Sequence, residues 1–148
     1  MPSQENMNTV RKLFECLNSN NPNTLNSMDA CCSADMKFHD PASTPTSAKS
    51  GLEAMKQAES TYIKAFPNKS VKIDSILGSE DQVVVRWTAT GAHKGPYQNI
   101  APTNKQFKIS GITIYRLANN KITDLWQIWD HYGLVEQLGE LKLAKASR

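Results

Sequence analysis

Four strand-like runs crowd the second half of the chain, and they constrain its fold more than any other feature. Val71–Leu77, Gln82–Thr90, Gln106–Arg116 and Ile122–Asp130 are rich in β-branched and aromatic residues. Ser79-Glu80-Asp81 and Ala118-Asn119-Asn120 leave room only for tight turns, so the runs predict an antiparallel meander. On Gln82–His93, alternation places Val83, Val85, Trp87, Ala89, Gly91 and His93 on one face. Val84, Arg86, Thr88 and Thr90 take the other. The first set suits the wall of an apolar cavity with a polar group at its rim.

The first half reads as helices. Met7, Val10, Phe14 and Leu17 recur at helical spacing over Glu5–Asn18, with Ser3 as a candidate cap, and Thr24–Ala30 predicts a second short helix. Asp35–Asp40 reads as a strand stopped by Pro41, and Pro41–Lys49 as a loop long enough to form a pocket mouth. Ser50 and Glu53 form a capping-box pattern ahead of a helix whose stripe is Leu52, Met55, Glu59, Tyr62 and Phe66. Leu134–Lys145 predicts a last helix, with 142–148 as a frayed tail. Helices followed by a run of strands predict a single α+β domain over 1–148, its helices packed on one face of a curved sheet around a cavity.

The last run carries a carboxylate, Asp130, beside His131. Simple alternation puts Ile122, Asp124, Trp126, Ile128 and Asp130 on one face and Thr123, Leu125, Gln127 and Trp129 on the other. Against Trp126 and Ile128, Asp130 would lose hydration and become a stronger base. Alternatively Asp130 caps the following helix, accepting its orphan amide hydrogens. Position alone leaves both readings open. His93 divides likewise between a pocket role and a strand-end bond to nearby backbone, and His39 between pocket and surface. Trp87, Trp126 and Trp129 divide between core, interface and substrate platform.

Composition removes several functions. At 148 residues, with 39% apolar and 21% charged side chains, the chain has the balance of a soluble globular protein. No apolar run approaches the length of a membrane span and the N-terminus lacks a signal-peptide core, so a cytoplasmic location is expected. The net charge of +3 is spread along the chain without a basic block, which argues against nucleic acid. Cys16, Cys31 and Cys32 read as reduced packing thiols. No metal-ligand spacing, dinucleotide fingerprint or phosphate-cradling loop is present, so neither metal nor cofactor is expected.

Gly91-Ala92-His93-Lys94-Gly95, Pro102-Thr103, and Asn120-Lys121-Ile122 running into Trp126, Asp130 and Gln137-Leu138-Gly139 resemble the SnoaL-like polyketide cyclases, also called ester cyclases. These belong to the nuclear-transport-factor-2-like superfamily. Phe38-His39-Asp40-Pro41 followed by Gly51 extends the resemblance into the first half. The resemblance implies a strongly bent, mostly antiparallel sheet wrapped around N-terminal helices, forming a cone with a deep pocket, and a homodimer through the outer sheet face. It further implies cofactor-independent intramolecular aldol chemistry on a small apolar carbonyl compound, with Asp130 as acid and base and His93 assisting. The substrate would then contact His39, Tyr62, Phe66, Trp87, Trp126 and Ile128. A non-catalytic binding or carrier protein could use the same pocket, and the fold does not choose between the two.

Overall fold

The computed structural model describes residues 2–42 and 50–139. The expected loop Pro41–Lys49 therefore lies largely outside the described residues, as do the end of the predicted last helix and the tail.

Helix α1 spans Pro2–Asn18, and a 3-10 helix spans Pro22–Ala30. Val10, Leu13 and Phe14 of α1 are buried against the sheet. Ser3 falls inside α1 rather than capping it, because Pro2 already occupies the first turn, where its missing N–H costs nothing. Strand β1, Cys32–His39, leads to helix α2, Gly51–Ala65, where Ser50 Oγ accepts from the Glu53 amide at 3.1 Å. Strands β2 (Ser70–Ser79), β3 (Gln82–Ala92), β4 (Gln106–Ala118) and β5 (Lys121–Trp129) follow, and helix α3 covers His131–Gln137.

The sheet order is β1-β5-β4-β3-β2, so the meander forms as expected. Strand β1 adds to it in parallel beside β5. The sheet is curled but not closed, with the helices on its concave side. Lys69 and the end of α1 fix one edge: Asn18 Nδ2 donates to Val71 O (2.9 Å), and Asn20 Nδ2 to Lys69 O (2.8 Å).

One irregularity decides which side chains enter the core. Leu117 pairs with Ile122 and Arg116 with Asp124, so Thr123 is an extra residue in β5. A bulge of this kind shifts alternation by one position. Ile122 and Leu125 therefore both point inward and are fully buried. Beyond the bulge, Leu125, Gln127 and Trp129 face the core, while Asp124, Trp126 and Ile128 face out, with Ile128 69% exposed. The expectation that Asp130 shares a pocket face with Trp126 and Ile128 is thereby corrected.

Candidate functional site

The inner face is built from rows across β3, β4 and β5. Trp87, Gly111 and Trp129 form one row, and Val85, Thr113 and Gln127 the next. A methyl group on Gly111 would collide with both tryptophans, so the glycine is what lets the two indoles close over β4. Above these rows lie α1 and α2, leaving a cavity of about 100 Å3. Its wall includes Phe14, Tyr62, Phe66, Phe107, Ile109 and Leu134. Of the expected substrate contacts, Tyr62, Phe66 and Trp87 line this cavity.

Two polar poles interrupt this apolar wall. The first is an oriented hydrogen-bond chain. Trp87 Nε1 donates to Thr113 Oγ1 (3.0 Å), Thr113 Oγ1 to Gln127 Oε1 (2.8 Å), and Gln127 Nε2 to Asp40 Oδ2 (2.8 Å). Trp129 Nε1 donates to the same oxygen at 3.2 Å, and the Ala42 amide to Asp40 Oδ1 at 2.9 Å. Every donor runs towards Asp40, which is 1% exposed at the end of β1. The carboxylate lies one hydrogen bond behind Gln127 and Trp129, both of which line the cavity. Beside it, Tyr97 Oη is 2.9 Å from His131 Nε2. Burial lowers the His131 pKa, and the negative charge of Asp40 pulls it partly back up.

The second pole is an ion pair inside the cavity wall. Lys69 Nζ is 2.5 Å from Glu59 Oε2 and donates to Leu17 O at 2.8 Å. Burial pushes the Glu59 carboxyl above its ordinary range, and the attraction of Lys69 opposes that rise.

The remaining expected site residues lie elsewhere. Asp130 is exposed and N-caps α3, its Oδ1 accepting from the Gly133 amide at 2.8 Å. A side chain on Gly133 would strike that carboxylate, so the capping contact needs glycine there. His39 stacks on Trp126 on the outer face (ring centroids 5.3 Å), 3.7 Å from Asp124. Arg116 covers the same indole at 5.3 Å. His93 is fully buried but outside the cavity wall. Its Nδ1 accepts from the Thr103 amide at 3.2 Å and lies 3.0 Å from Thr103 Oγ1, which pins the loop between β3 and β4. The structure thus brings Tyr62, Phe66 and Trp87 together and leaves Asp130, His93, His39, Trp126 and Ile128 outside.

Asp40, Glu59, Lys69, Gln127 and Trp129 are the side chains the expected site omitted. Glu59 carried a legible signal, a carboxylate within an apolar helical stripe, and Asp40 lay inside the Phe38–Pro41 phrase. Gln127 and Trp129 were assigned to the wrong face by the unrecognised bulge. Nothing in the sequence marks Lys69. Burial raises the Cys32 thiol to about 12, and the three cysteines are free, in keeping with a packing role. No described helix is long and apolar enough to cross a membrane. Among the described residues no cluster of histidine, cysteine or acidic side chains is placed to hold a metal ion.

A helix-capped, curled sheet around an apolar cavity is the architecture of the nuclear-transport-factor-2 and ketosteroid-isomerase-like proteins. A family model for SnoaL-like polyketide cyclases matches residues 8–138, and the chain belongs to that family. A protein from Jannaschia sp. CCS1, provisionally described as a SnoaL-like polyketide cyclase, superposes with a TM-score of 0.81 at 18% identity, covering 95% of each chain. AclR from Streptomyces galilaeus, provisionally a hydroxylase, gives 0.79 at 21% identity, over 95% of this chain and 88% of its own. A ketosteroid-isomerase-like protein from Catenulispora acidiphila, solved with trimethylamine, gives 0.70 at 20%, over 88% and 92%. These similarities concern the fold. No curated protein matches the chain.

Proposed function

We propose that the protein catalyses a cyclase-type, redox-neutral proton transfer on a small apolar carbonyl compound, with Asp40 as the acid and base. The observation that carries this reading is a buried carboxylate at the end of a donor chain whose last two members, Gln127 and Trp129, form the cavity wall. Such a group is held in one orientation before substrate arrives. The Trp129 bond is the longer of the two. Substrate entering beside that indole would take its place at Oδ2.

The carboxylate then accepts a proton from the carbon next to a carbonyl, leaving an enolate. The enolate carbon attacks a second carbonyl carbon of the same molecule, forming the ring bond, and the resulting alkoxide takes the proton back from Asp40. Atoms and electrons balance within the substrate. A cavity of about 100 Å3 is of the same order as the roughly 150 Å3 that accommodates benzene in an engineered core, which favours a substrate that presents a single ring-sized portion.

Asp40→Asn preserves shape and most hydrogen bonds but removes the basicity. It should reduce turnover of a linear polyketone probe, such as 2,4,6-heptanetrione, by at least about a hundredfold with the fold intact. Unchanged turnover would overturn the assignment.

One observation favours a second reading, that of a small-molecule binding protein: the Asp130 carboxylate is turned away from the cavity and engaged at a helix terminus. Under that reading neither wild type nor Asp40→Asn turns the probe over, and both bind it.

The outer sheet face supports a further part of the proposal, a homodimer. Ile112 pairs with Ile128 and Ile114 with Trp126 across β4 and β5, giving an apolar stripe with Ile112 50% and Ile128 69% exposed. Simple alternation puts Leu125, Gln127 and Trp129 on the face opposite Trp126 and Ile128, and the bulge makes theirs the inner face and leaves Trp126 and Ile128 in the outer stripe.

A further inference from the structure

The Glu59–Lys69 pair sits in a place where a purely structural ion pair is expensive. Both side chains are more than nine-tenths buried, and desolvating two charges costs several kcal/mol that their attraction repays only with good geometry. They are also the charged side chains among the described residues lining the cavity, whose wall is otherwise nearly all apolar. An ammonium has three N–H donors. Lys69 donates one of them to Leu17 O and stands in ion-pair contact with Glu59 Oε2. That carboxylate oxygen, Glu59 Oε2, is buried and has no hydrogen-bond partner among the described residues. The pair therefore offers one donor and one acceptor side by side.

We infer that the Glu59–Lys69 pair is a recognition site for a neutral hydroxyl or enol group on the ligand. The hydroxyl oxygen accepts from Lys69 Nζ while its hydrogen is donated to Glu59. A simple carbonyl satisfies only the lysine, and a carboxylate meets the negative charge of Glu59. This inference rests on the cavity being the ligand site and names the chemistry of its second pole, whose residues line the same cavity as Gln127. A ligand meeting both poles carries a reacting carbonyl at one end and an un-ionised hydroxyl or enol at the other. A partly cyclised polyketone has that pattern, so the class of reaction supplying it would leave an enolisable β-dicarbonyl terminus intact.

Single-ring probes test the inference without knowledge of the natural ligand. Phenol, benzene and benzoate are titrated into the protein and followed by chemical-shift changes of the Trp87 and Trp129 indoles. Phenol should bind about tenfold more tightly than benzene, the gain expected of one good net hydrogen bond, and more tightly than benzoate. In Glu59→Met/Lys69→Met the phenol-to-benzene ratio should fall to about one, because neither donor nor acceptor remains at the pair. The apolar replacement leaves no orphaned charge. Equal binding of phenol and benzene by wild type, a preference that survives in the double variant, or stronger binding of benzoate each overturns the inference.

If the double variant does not fold, transfer of magnetisation between phenol and the Lys69 ε-methylene in wild type decides the matter, and its absence overturns the inference. Asp40→Asn separates this idea from the catalytic one. Loss of turnover with the phenol preference intact upholds both. Unchanged turnover with the preference intact sinks only the catalytic assignment, and an absent preference sinks only the recognition site.

Discussion

At the scale of single residues, Glu59 carries the clearest pH signature. Its carboxyl is raised above 4.5 mainly by burial, with Lys69 opposing. In the unfolded chain the group ionises at its ordinary value. The folded protein therefore holds a proton there more tightly, and the associated stability is complete below about pH 4.5 and lost as pH rises through the folded-state value. Denaturant unfolding across that window should show a decline in wild type that Glu59→Gln lacks. Parallel profiles would mean that the attraction of Lys69 cancels the cost of burial. Asp40 is likewise buried, and it accepts hydrogen bonds from Gln127, Trp129 and Ala42. Its sequence neighbours gave only a weak motif, because the two hydrogen bonds that arrive from the distant strand β5 cannot be read from one tetrapeptide.

At the scale of elements, the turn from β5 into α3 and the bulge at Thr123 determine where the last strand's functional groups go. The cap reading of Asp130 is the one the geometry bears out. Asp130→Ala should lower stability by about 1 kcal/mol, and Asp130→Asn by much less, since asparagine caps nearly as well. Chemical denaturation of both variants is the check. A loss of turnover in Asp130→Asn without a stability change would instead return that carboxylate to the mechanism. The helices and the four-strand meander were legible because their hydrophobic periods are local. The bulge was not, because it is defined by two residues opposing one across a ladder, and the partner strand is absent from any local pattern.

At the scale of the whole molecule, the outer stripe of Ile112, Ile114, Trp126 and Ile128 is the surface on which a dimer would form. Ile128→Lys should shift light scattering from dimer towards monomer while leaving the circular dichroism of the fold unchanged, because Ile128 makes little contact with the core. A wild-type monomer would remove the proposal.

The sequence by itself determined the α+β class, the order of helices before meander, the Ser50 cap, and the Val83-Val85-Trp87-Ala89 face of β3. Each depends on residues close together in the chain, whose propensity and spacing agree. It also carried the family, through motifs spread from Phe38 to Gly139. Only the tertiary structure decided which face of β5 meets the cavity. Only it placed Asp40 behind Gln127 and Trp129, and drew Lys69 onto Glu59. Those outcomes depend on the parallel docking of β1 beside β5, on one unpaired residue at position 123, and on the seating of α1 and α2 across the sheet. Contacts between segments so far apart in sequence are set by packing and hydrogen-bond satisfaction in the assembled core, and no local pattern encodes them.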